Sequence, residues 1–217
     1  MCIQQNLISS SKFDQQGLIG YFAGRITILS SSVTYSLQAS YIHAVGMVGF
    51  LTPQCSNSQI TDAICTLNTI LTDIYSVCAI GTIIGDEYAV NCTISNLIVY
   101  KSNISSVQKN GGVVGISVKS NLTITNTTVQ NSNISSSLYI AGGFVGSLQN
   151  SSSTLITNSQ IDSIMIFCPK FAGIILGNNE NSTICITNSY SQGNNYINSI
   201  IIQLCSSLND YTKPNGC

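Results

Sequence analysis

The chain has 217 residues, of which 44% are hydrophobic and only 7% are charged, and its formal net charge is −1. Its seven basic residues are scattered singly, which excludes nucleic-acid binding as a function class because that function needs a basic patch. No apolar run approaches the roughly 18 residues that a membrane-spanning helix needs, so no membrane span is predicted. Serine, threonine and asparagine make up about a third of the residues, which predicts a polar but nearly uncharged surface.

A glycine preceded by two large apolar residues recurs along the chain at intervals of about 30 residues. We call this glycine the anchor of each repeat. A degenerate last copy has Gln203 at the anchor position, and the anchors of the other copies are Gly20, Gly49, Gly85, Gly115, Gly146 and Gly177. A second motif, an isoleucine two residues before an asparagine, follows most anchors, and we call it the second mark. Two motifs that recur at a constant distance from each other indicate a stacked repeat, in which each unit buries its apolar residues against its neighbours.

The repeat unit predicts β-structure rather than α-helix. Its apolar runs are short, rich in β-branched residues and bounded by glycine, asparagine and serine, as in residues 120–126. A unit of about 30 residues accommodates three short strands and three turns. We therefore predict an all-β fold, a parallel β-solenoid (β-helix) of about seven coils. The usual handedness of parallel β crossovers favours a right-handed one.

The predicted solenoid is a single domain over residues 1–205, with irregular coils in 1–84 and regular coils in 85–205. The coil after Gly49 is the longest, so we predict an inserted loop over residues 63–78, the one stretch compatible with a short helix. Residues 206–217 lose the repeat and are predicted to be a C-terminal tail or linker. The N-terminus lacks the features of a signal peptide, so we expect a removed leader or a longer parent chain.

Two adjacent apolar residues precede each anchor, and strand alternation would place them on opposite faces. One face then lines the core, and the other needs a cover such as glycans or another subunit. The alternative is that strands near a corner turn both residues inward. The candidate assembly face is the column two residues before the anchor, which consists of Leu18, Met47, Ile83, Val113, Phe144, Ile175 and Ile201.

The asparagines of the second mark predict a ladder at a turn, with side-chain amides hydrogen-bonded along the solenoid axis. Asparagine also suits such a turn because it tolerates the left-handed backbone region. The isoleucine two residues earlier is expected to point inward, and the residue between them outward. The predicted asparagine ladder consists of Asn96, Asn126, Asn158 and Asn188.

The chain has nine cysteines and seven N-x-S/T sequons, which are relevant to the cellular compartment in which it folds. The cysteines lack C-x-x-C spacing and His43 is the single histidine, so no metal site is predicted. The cysteines are either buried thiols or disulfides between coils, with Cys55 and Cys92 as the candidate pair because they follow consecutive anchors at similar distances. The candidate glycosylation sites are Asn91, Asn103, Asn121, Asn126, Asn133, Asn150 and Asn181.

The glycine tract followed by an Ile-Thr-Asn strand resembles the GLUG-like repeats of extracellular adhesin-like surface proteins of bacteria and protists. The resemblance covers roughly residues 15–203 and is clearest at 111–115, 142–146 and 94–96. It implies an extracellular or cell-surface β-solenoid with no catalytic residues and no cofactor. The chain departs from many such repeats in lacking their aspartates and charged loops.

Three functions are compatible with these patterns. The favoured one is a non-catalytic extracellular structural or adhesive repeat protein, a self-associating fibre or surface-layer subunit that carries glycans. The second is an ice- or crystal-surface binder, suggested by outward pairs such as Thr123 and Thr125, although Leu155 and Cys185 interrupt the array. The third is a polysaccharide-acting enzyme, which needs converging carboxylates. No catalytic site is predicted because the acids lie at different phases of the repeat, namely Asp62, Asp73, Asp86, Glu87, Asp162 and Glu180.

Overall fold

The structure is a computed structural model of the chain. Within the residues that it describes, the chain forms short β-strands and no α-helix. The strands pair in parallel from one turn to the next. The described residues are 2–5, 10–11, 15–16, 19–22, 25–35, 38–40, 43–52, 57–67, 70–72, 75–85, 90–150, 152–198 and 201–202.

The first strands, which precede residue 53, contain two to four residues each. They are β1 (Cys2–Gln5), β2 (Ser10–Ser11), β3 (Gln15–Gln16), β4 (Ile19–Phe22), β5 (Thr27–Leu29), β6 (Ser32–Tyr35), β7 (Gln38–Ser40), β8 (His43–Val45) and β9 (Val48–Leu51). The next strands include the two longest, and they are β10 (Ser58–Leu67), β11 (Ile70–Thr72), β12 (Tyr75–Val77), β13 (Ile80–Ile84), β14 (Val90–Tyr100), β15 (Asn103–Ser106), β16 (Lys109–Gly111) and β17 (Val114–Val118).

The remaining strands belong to the regular part of the chain. They are β18 (Ser120–Thr125), β19 (Thr128–Gln130), β20 (Asn133–Ser136), β21 (Ile140–Gly142), β22 (Val145–Gln149), β23 (Ser153–Thr157), β24 (Gln160–Asp162), β25 (Met165–Phe167), β26 (Phe171–Gly173), β27 (Leu176–Glu180), β28 (Thr183–Thr187), β29 (Tyr190–Gln192), β30 (Tyr196–Asn198) and β31 (Ile201–Ile202).

These strands build four parallel sheets, which we name A to D. Sheet A runs through β1, β6, β10, β14, β18, β23 and β28, with β5, β19, β24 and β29 paired beside them. Sheet B runs through β2, β7, β11, β15, β20, β25 and β30, and sheet C through β3, β8, β12, β16, β21, β26 and β31. Sheet D runs through β4, β9, β13, β17, β22 and β27.

Residues 120–150 form one complete turn. The turn passes through β18 and β19 on sheet A, β20 on sheet B, β21 on sheet C and β22 on sheet D. It holds five strands rather than the expected three, because several contain only three residues. Corners lie at Asn126, Asn131 and Asn150, whose φ angles of 49°, 50° and 54° are in the left-handed region that asparagine tolerates.

Successive turns are offset by about 31 residues, so the predicted parallel β-solenoid is confirmed. The regular part makes about four turns, and the expectation of about seven coils is wrong. The repeats counted before residue 53 contribute only strands of two to four residues to the same sheets.

The register of sheet D corrects one anchor. Ile80 is paired with both Val48 and Val114, so the glycine in the anchor column is Gly81 rather than Gly85. Gly85 lies at the corner that follows β13. The sequence is misleading there because two isoleucines precede Gly85, just as two large apolar residues precede the true anchors. Gln203 lies outside the described residues, and the pairings align the remaining anchors as expected, namely Gly20, Gly49, Gly115, Gly146 and Gly177.

The stretch over residues 63–78 is neither an inserted loop nor a helix in its described residues. It contains the second half of β10 together with β11 and β12, and all of these pair with strands of the following turn. Its isoleucine, threonine and valine residues favour strands, which explains why the expectation of a helix is wrong.

The core lies inside the stack of turns and consists of aliphatic columns. Ile94, Ile124 and Ile156 are aligned on sheet A and are fully buried, as expected for the isoleucine of the second mark. Thr125 and Thr157, one residue later, are half-buried on the outer side. Each buried isoleucine stabilises the fold by about 1.5–3 kcal/mol relative to an exposed one, so the columns supply the main driving force for stacking.

The glycines of the tract Ala-Gly-Gly-Phe-Val-Gly, residues 141–146, allow close backbone contact. A Cβ atom on Gly146 would lie 2.5 Å from the carbonyl oxygen of Gly115 and 2.6 Å from that of Asn110. A Cβ atom on Gly143 would overlap the carbonyl oxygen of Ile174 in the next turn. The tract therefore requires glycine because neighbouring strands approach too closely for a side chain.

We expect Gly143→Ala to lower the free energy of unfolding by about 1–3 kcal/mol, as overpacking of a well-packed interior usually does. The cause is the overlap between the new Cβ atom and the Ile174 carbonyl oxygen. Urea denaturation followed by circular dichroism measures the effect. Ser137→Ala, at an exposed loop position, is the control. Equal stability of the two variants would contradict the close approach.

Candidate functional site

The apolar column expected to form an assembly face is buried, so that prediction is wrong. Phe144 lies at the corner between β21 and β22, where both it and Val145 point into the core. The side chains of Leu18 and Ile201 lie outside the described residues. The described residues of the predicted column are at most 1% exposed, namely Met47, Ile83, Val113, Phe144 and Ile175. Ile83 is aligned with Leu51 and Ser117, so with the anchor at Gly81 its place in the column belongs to Ala79.

A different set of apolar side chains is exposed, on the outer side of sheet B. One outward column of this sheet contains Asn103, Asn133, Met165 and Tyr196 in successive turns. Met165 is 51% exposed, Tyr196 is 56% exposed, and Phe167 on the same strand as Met165 is 46% exposed. We name Met165, Phe167 and Tyr196 the outer apolar patch.

The sequence contains a signal for the outer apolar patch that the repeat pattern conceals. Residues 103–106 and 133–136 both read Asn-Ile-Ser-Ser, whereas the aligned residues 165–168 read Met-Ile-Phe-Cys. The inward isoleucine is kept, and both outward positions change from polar to apolar. At the next corner, the Nζ atom of Lys170 lies 5.0 Å from the ring centroid of Tyr139 and 5.4 Å from that of Phe171, which adds aromatic surface nearby.

The asparagines of the second mark lie at one corner of sheet A. The Nδ2 atom of Asn126 donates a hydrogen bond to Oδ1 of Asn96 at 3.2 Å, and Nδ2 of Asn96 donates to Oδ1 of Asp62 at 2.7 Å. Asn158 and Asn188 continue the column with the same left-handed backbone conformation. Asparagine therefore suits this corner for two reasons: it tolerates the left-handed backbone conformation, and its side-chain amide can bond along the solenoid axis.

All of the candidate glycosylation sites have exposed asparagine side chains. They lie on the outer sides of sheets A and B and at two of the corners, and none contributes to the core. A glycan could therefore be attached at each site without opening the fold. The sites are Asn91, Asn103, Asn121, Asn126, Asn133, Asn150 and Asn181.

The outer side of sheet A carries one continuous column of hydroxyl groups. The neighbouring column is interrupted by Leu155 and Cys185, which follow Thr93 and Thr123. A single column does not present a two-dimensional array of hydroxyls to a crystal surface. The continuous column consists of Thr61, Ser95, Thr125, Thr157 and Thr187.

The carboxylates that the structure describes do not converge on one cleft. Asp62 lies at a corner of sheet A, Asp162 ends β24 and Glu180 ends β27, and each accepts a hydrogen bond from a nearby side chain. Among the described residues, no three metal-binding side chains are grouped. Outside the described side chains lie Asp73, Asp86, Glu87 and His43.

Two of the cysteines form a disulfide that the sequence did not predict. Cys65 on β10 and Cys78 at the corner before β13 are bonded, with their Cα atoms 5.9 Å apart, and both are fully buried. The expected partner Cys55 lies outside the described residues, and Cys92 is a buried residue aligned with Ser58. The Cys55–Cys92 pairing therefore stays a prediction. A further disulfide bond is formed by Cys185.

Lys109 is a half-buried cation on sheet C that is aligned with Tyr75 in the preceding turn. It begins β16 and is aligned with Ile140 and Phe171 in the next two turns. Burial lowers the pKa of Lys109 below its ordinary value, and the carboxylate of Glu180 acts in the opposite direction. The protonated side chain is thus less favourable in the folded chain than in water.

Comparison with known proteins finds no match for this chain. The chain matches no protein-family profile, no curated protein and no solved structure. The part of the chain that the structure describes contains no helical segment with the length and hydropathy of a membrane span.

We expect Asn126→Ala to lower the free energy of unfolding by about 1 kcal/mol more than Asn126→Gly. Both variants lose the amide bond to Asn96, but only alanine is disfavoured in the left-handed conformation. Chemical denaturation of protein from a bacterial host, which attaches no glycan at this sequon, measures the difference. Equal stability of the two variants would show that the corner does not require a left-handed residue.

We expect Lys109→Met to raise stability near neutral pH. A lysine with a lowered folded pKa destabilises the folded chain at all pH values below that pKa, and the penalty disappears as pH rises toward the pKa of the unfolded chain. The wild-type protein should therefore gain stability in the alkaline range, and the variant should lack that gain. Thermal melts between neutral and alkaline pH compare the two. Parallel pH profiles would contradict a penalty at Lys109.

Proposed function

We propose that the chain is a non-catalytic extracellular structural or adhesive repeat protein that carries N-linked glycans and associates with further copies of itself. The observation that carries the proposal is the exposure of all seven sequon asparagines on a β-solenoid of which only 7% of the residues are charged. Glycans would supply the hydration that charged side chains supply on most soluble proteins.

The disulfides support an oxidising compartment. Cys65 and Cys78 are bonded within the core, and Cys185 is also disulfide-bonded. Such bonds persist outside the cell and in the secretory path, whereas cytosolic thiols are kept reduced. An extracellular or cell-surface location is therefore the one that the covalent structure favours. The likeness of the glycine tract to GLUG-like repeats of surface adhesins agrees with this location.

Self-association of the chain is proposed to use the outer apolar patch. Met165, Phe167 and Tyr196 lie on the outer side of sheet B and are each about half exposed. Exposed apolar groups of this kind mark interaction sites when they are contiguous. A second copy is the favoured occupant because the net charge of −1 provides almost no repulsion between copies. This patch, and not the buried Phe144 column, is the proposed assembly surface.

We expect the double substitution Met165→Gln with Phe167→Ser to reduce self-association. It makes both outward positions polar, as Asn133 and Ser135 make them in the preceding turn, and it creates no new N-x-S/T sequon. Multi-angle light scattering of the wild-type chain over a concentration series should give a rising mass, and the variant should remain nearer to the monomer mass.

Leu155→Thr is the matched control, since Leu155 is an exposed apolar residue on the outer side of sheet A. It should self-associate as the wild type does. A wild-type chain that is strictly monomeric at every concentration would contradict self-association. If only the Leu155→Thr variant lost self-association, the contact between copies would lie on sheet A and not on the outer apolar patch. Electron microscopy of native material with glycan mass spectrometry tests the structural and extracellular parts of the proposal.

A further inference from the structure

The stacking of turns arranges the sequons in a way that their positions in the sequence do not reveal. Asn91 is directly paired with Asn121 on sheet A, and the Nδ2 atom of Asn121 donates a hydrogen bond to Oδ1 of Asn91 at 2.9 Å. Asn103 is directly paired with Asn133 on sheet B. In both cases the two side chains leave the same side of the sheet in adjacent turns.

The third pair lies at the corner that follows sheet D. Gln149 and Glu180 are paired, so the next residues, Asn150 and Asn181, occupy the same corner in adjacent turns. The N–H of Asn150 donates to the carbonyl oxygen of Glu180 at 3.0 Å, and both asparagines are left-handed, with φ angles of 54° and 53°. Six of the seven sequons thus form three adjacent-turn pairs.

Asn126 is the exception. Its neighbours along the column are Asn96 and Asn158, and neither begins a sequon, because isoleucine and glutamine stand two residues after them. A glycan on Asn126 would therefore have no second glycan in the adjacent turns of its own column.

We propose that each of the three pairs carries one glycan in the folded protein, so that a chain with seven sequons holds at most four glycans. Adjacent parallel strands are about 4.8 Å apart, and a branched glycan is several times wider than this spacing. Two glycans rooted at that distance and directed the same way would compete for the same volume. The inference rests on the proposed function, because it requires passage through a glycosylating secretory path.

The modification joins the anomeric carbon of an oligosaccharide to the Nδ2 atom of asparagine. The donor is a lipid-linked oligosaccharide diphosphate: its bond from the anomeric carbon to the phosphate oxygen breaks, a carbon–nitrogen bond forms, and the amide gives up one proton. Where attachment precedes the stacking of the turns, both members of a pair can react. Crowding acts afterwards, by hindering the stacking of a chain in which both members of a pair are modified.

The test is expression of the full chain in a eukaryotic secretory host, with the glycans trimmed to one sugar before intact mass analysis. Secreted molecules should carry no more than four sugars, and glycopeptide occupancies of Asn91 and Asn121 should sum to no more than one. Doubly modified pairs should be enriched in the fraction that the cell retains. Thr93→Val, which removes the Asn91 sequon but keeps the asparagine, should raise the occupancy of Asn121.

Thr128→Val is the matched control, since it removes the sequon that has no paired sequon, keeps Asn126 at its left-handed corner, and should leave the occupancies of the other sites unchanged. Secreted molecules with five or more sugars, or paired occupancies that sum well above one, would overturn this inference but would leave the proposed function intact. A secreted chain without sugar at any sequon would overturn both the inference and the glycosylated surface in the proposed function.

Discussion

The backbone hydrogen bonds between successive parallel turns are the interaction on which the rest of this structure depends. They hold residues about 31 positions apart in exact register. Each side chain therefore meets the equivalent side chain of the turn above and below it. This single constraint produces the buried isoleucine columns, the amide contact between Asn96 and Asn126, and the alignment of the outward residues of sheet B.

Much of this register can be read from the sequence, because an inward residue needs the same property in every turn. Ile94, Ile124 and Ile156 stand in the core, and an isoleucine is what the sequence repeats there. Outward residues are under no such requirement, so the change from Asn133 to Met165 leaves no trace in the repeat pattern. The outer apolar patch was missed for this reason.

Two errors have a common physical origin in the corners. Strand alternation predicts opposite faces for neighbouring residues, but Phe144 and Val145 are both buried because the chain turns between β21 and β22. The anchor at Gly85 was wrong because two isoleucines also precede this corner glycine, and only the strand pairing separates Gly85 from Gly81. The spacing argument for Cys55 and Cys92 used the same anchor, but Cys55 lies outside the described residues, so that pairing stays a prediction.

The uniform direction of the strands has a consequence for any contact along the axis. Because every described pairing is parallel, each turn has two chemically different faces, one toward the first strands of the sheets and the other toward the last strands. End-to-end joining of copies would therefore use two unlike surfaces. Contacts of that kind leave an unsatisfied surface at each end of the complex unless a rotation closes a ring, so they propagate into fibres with a defined direction.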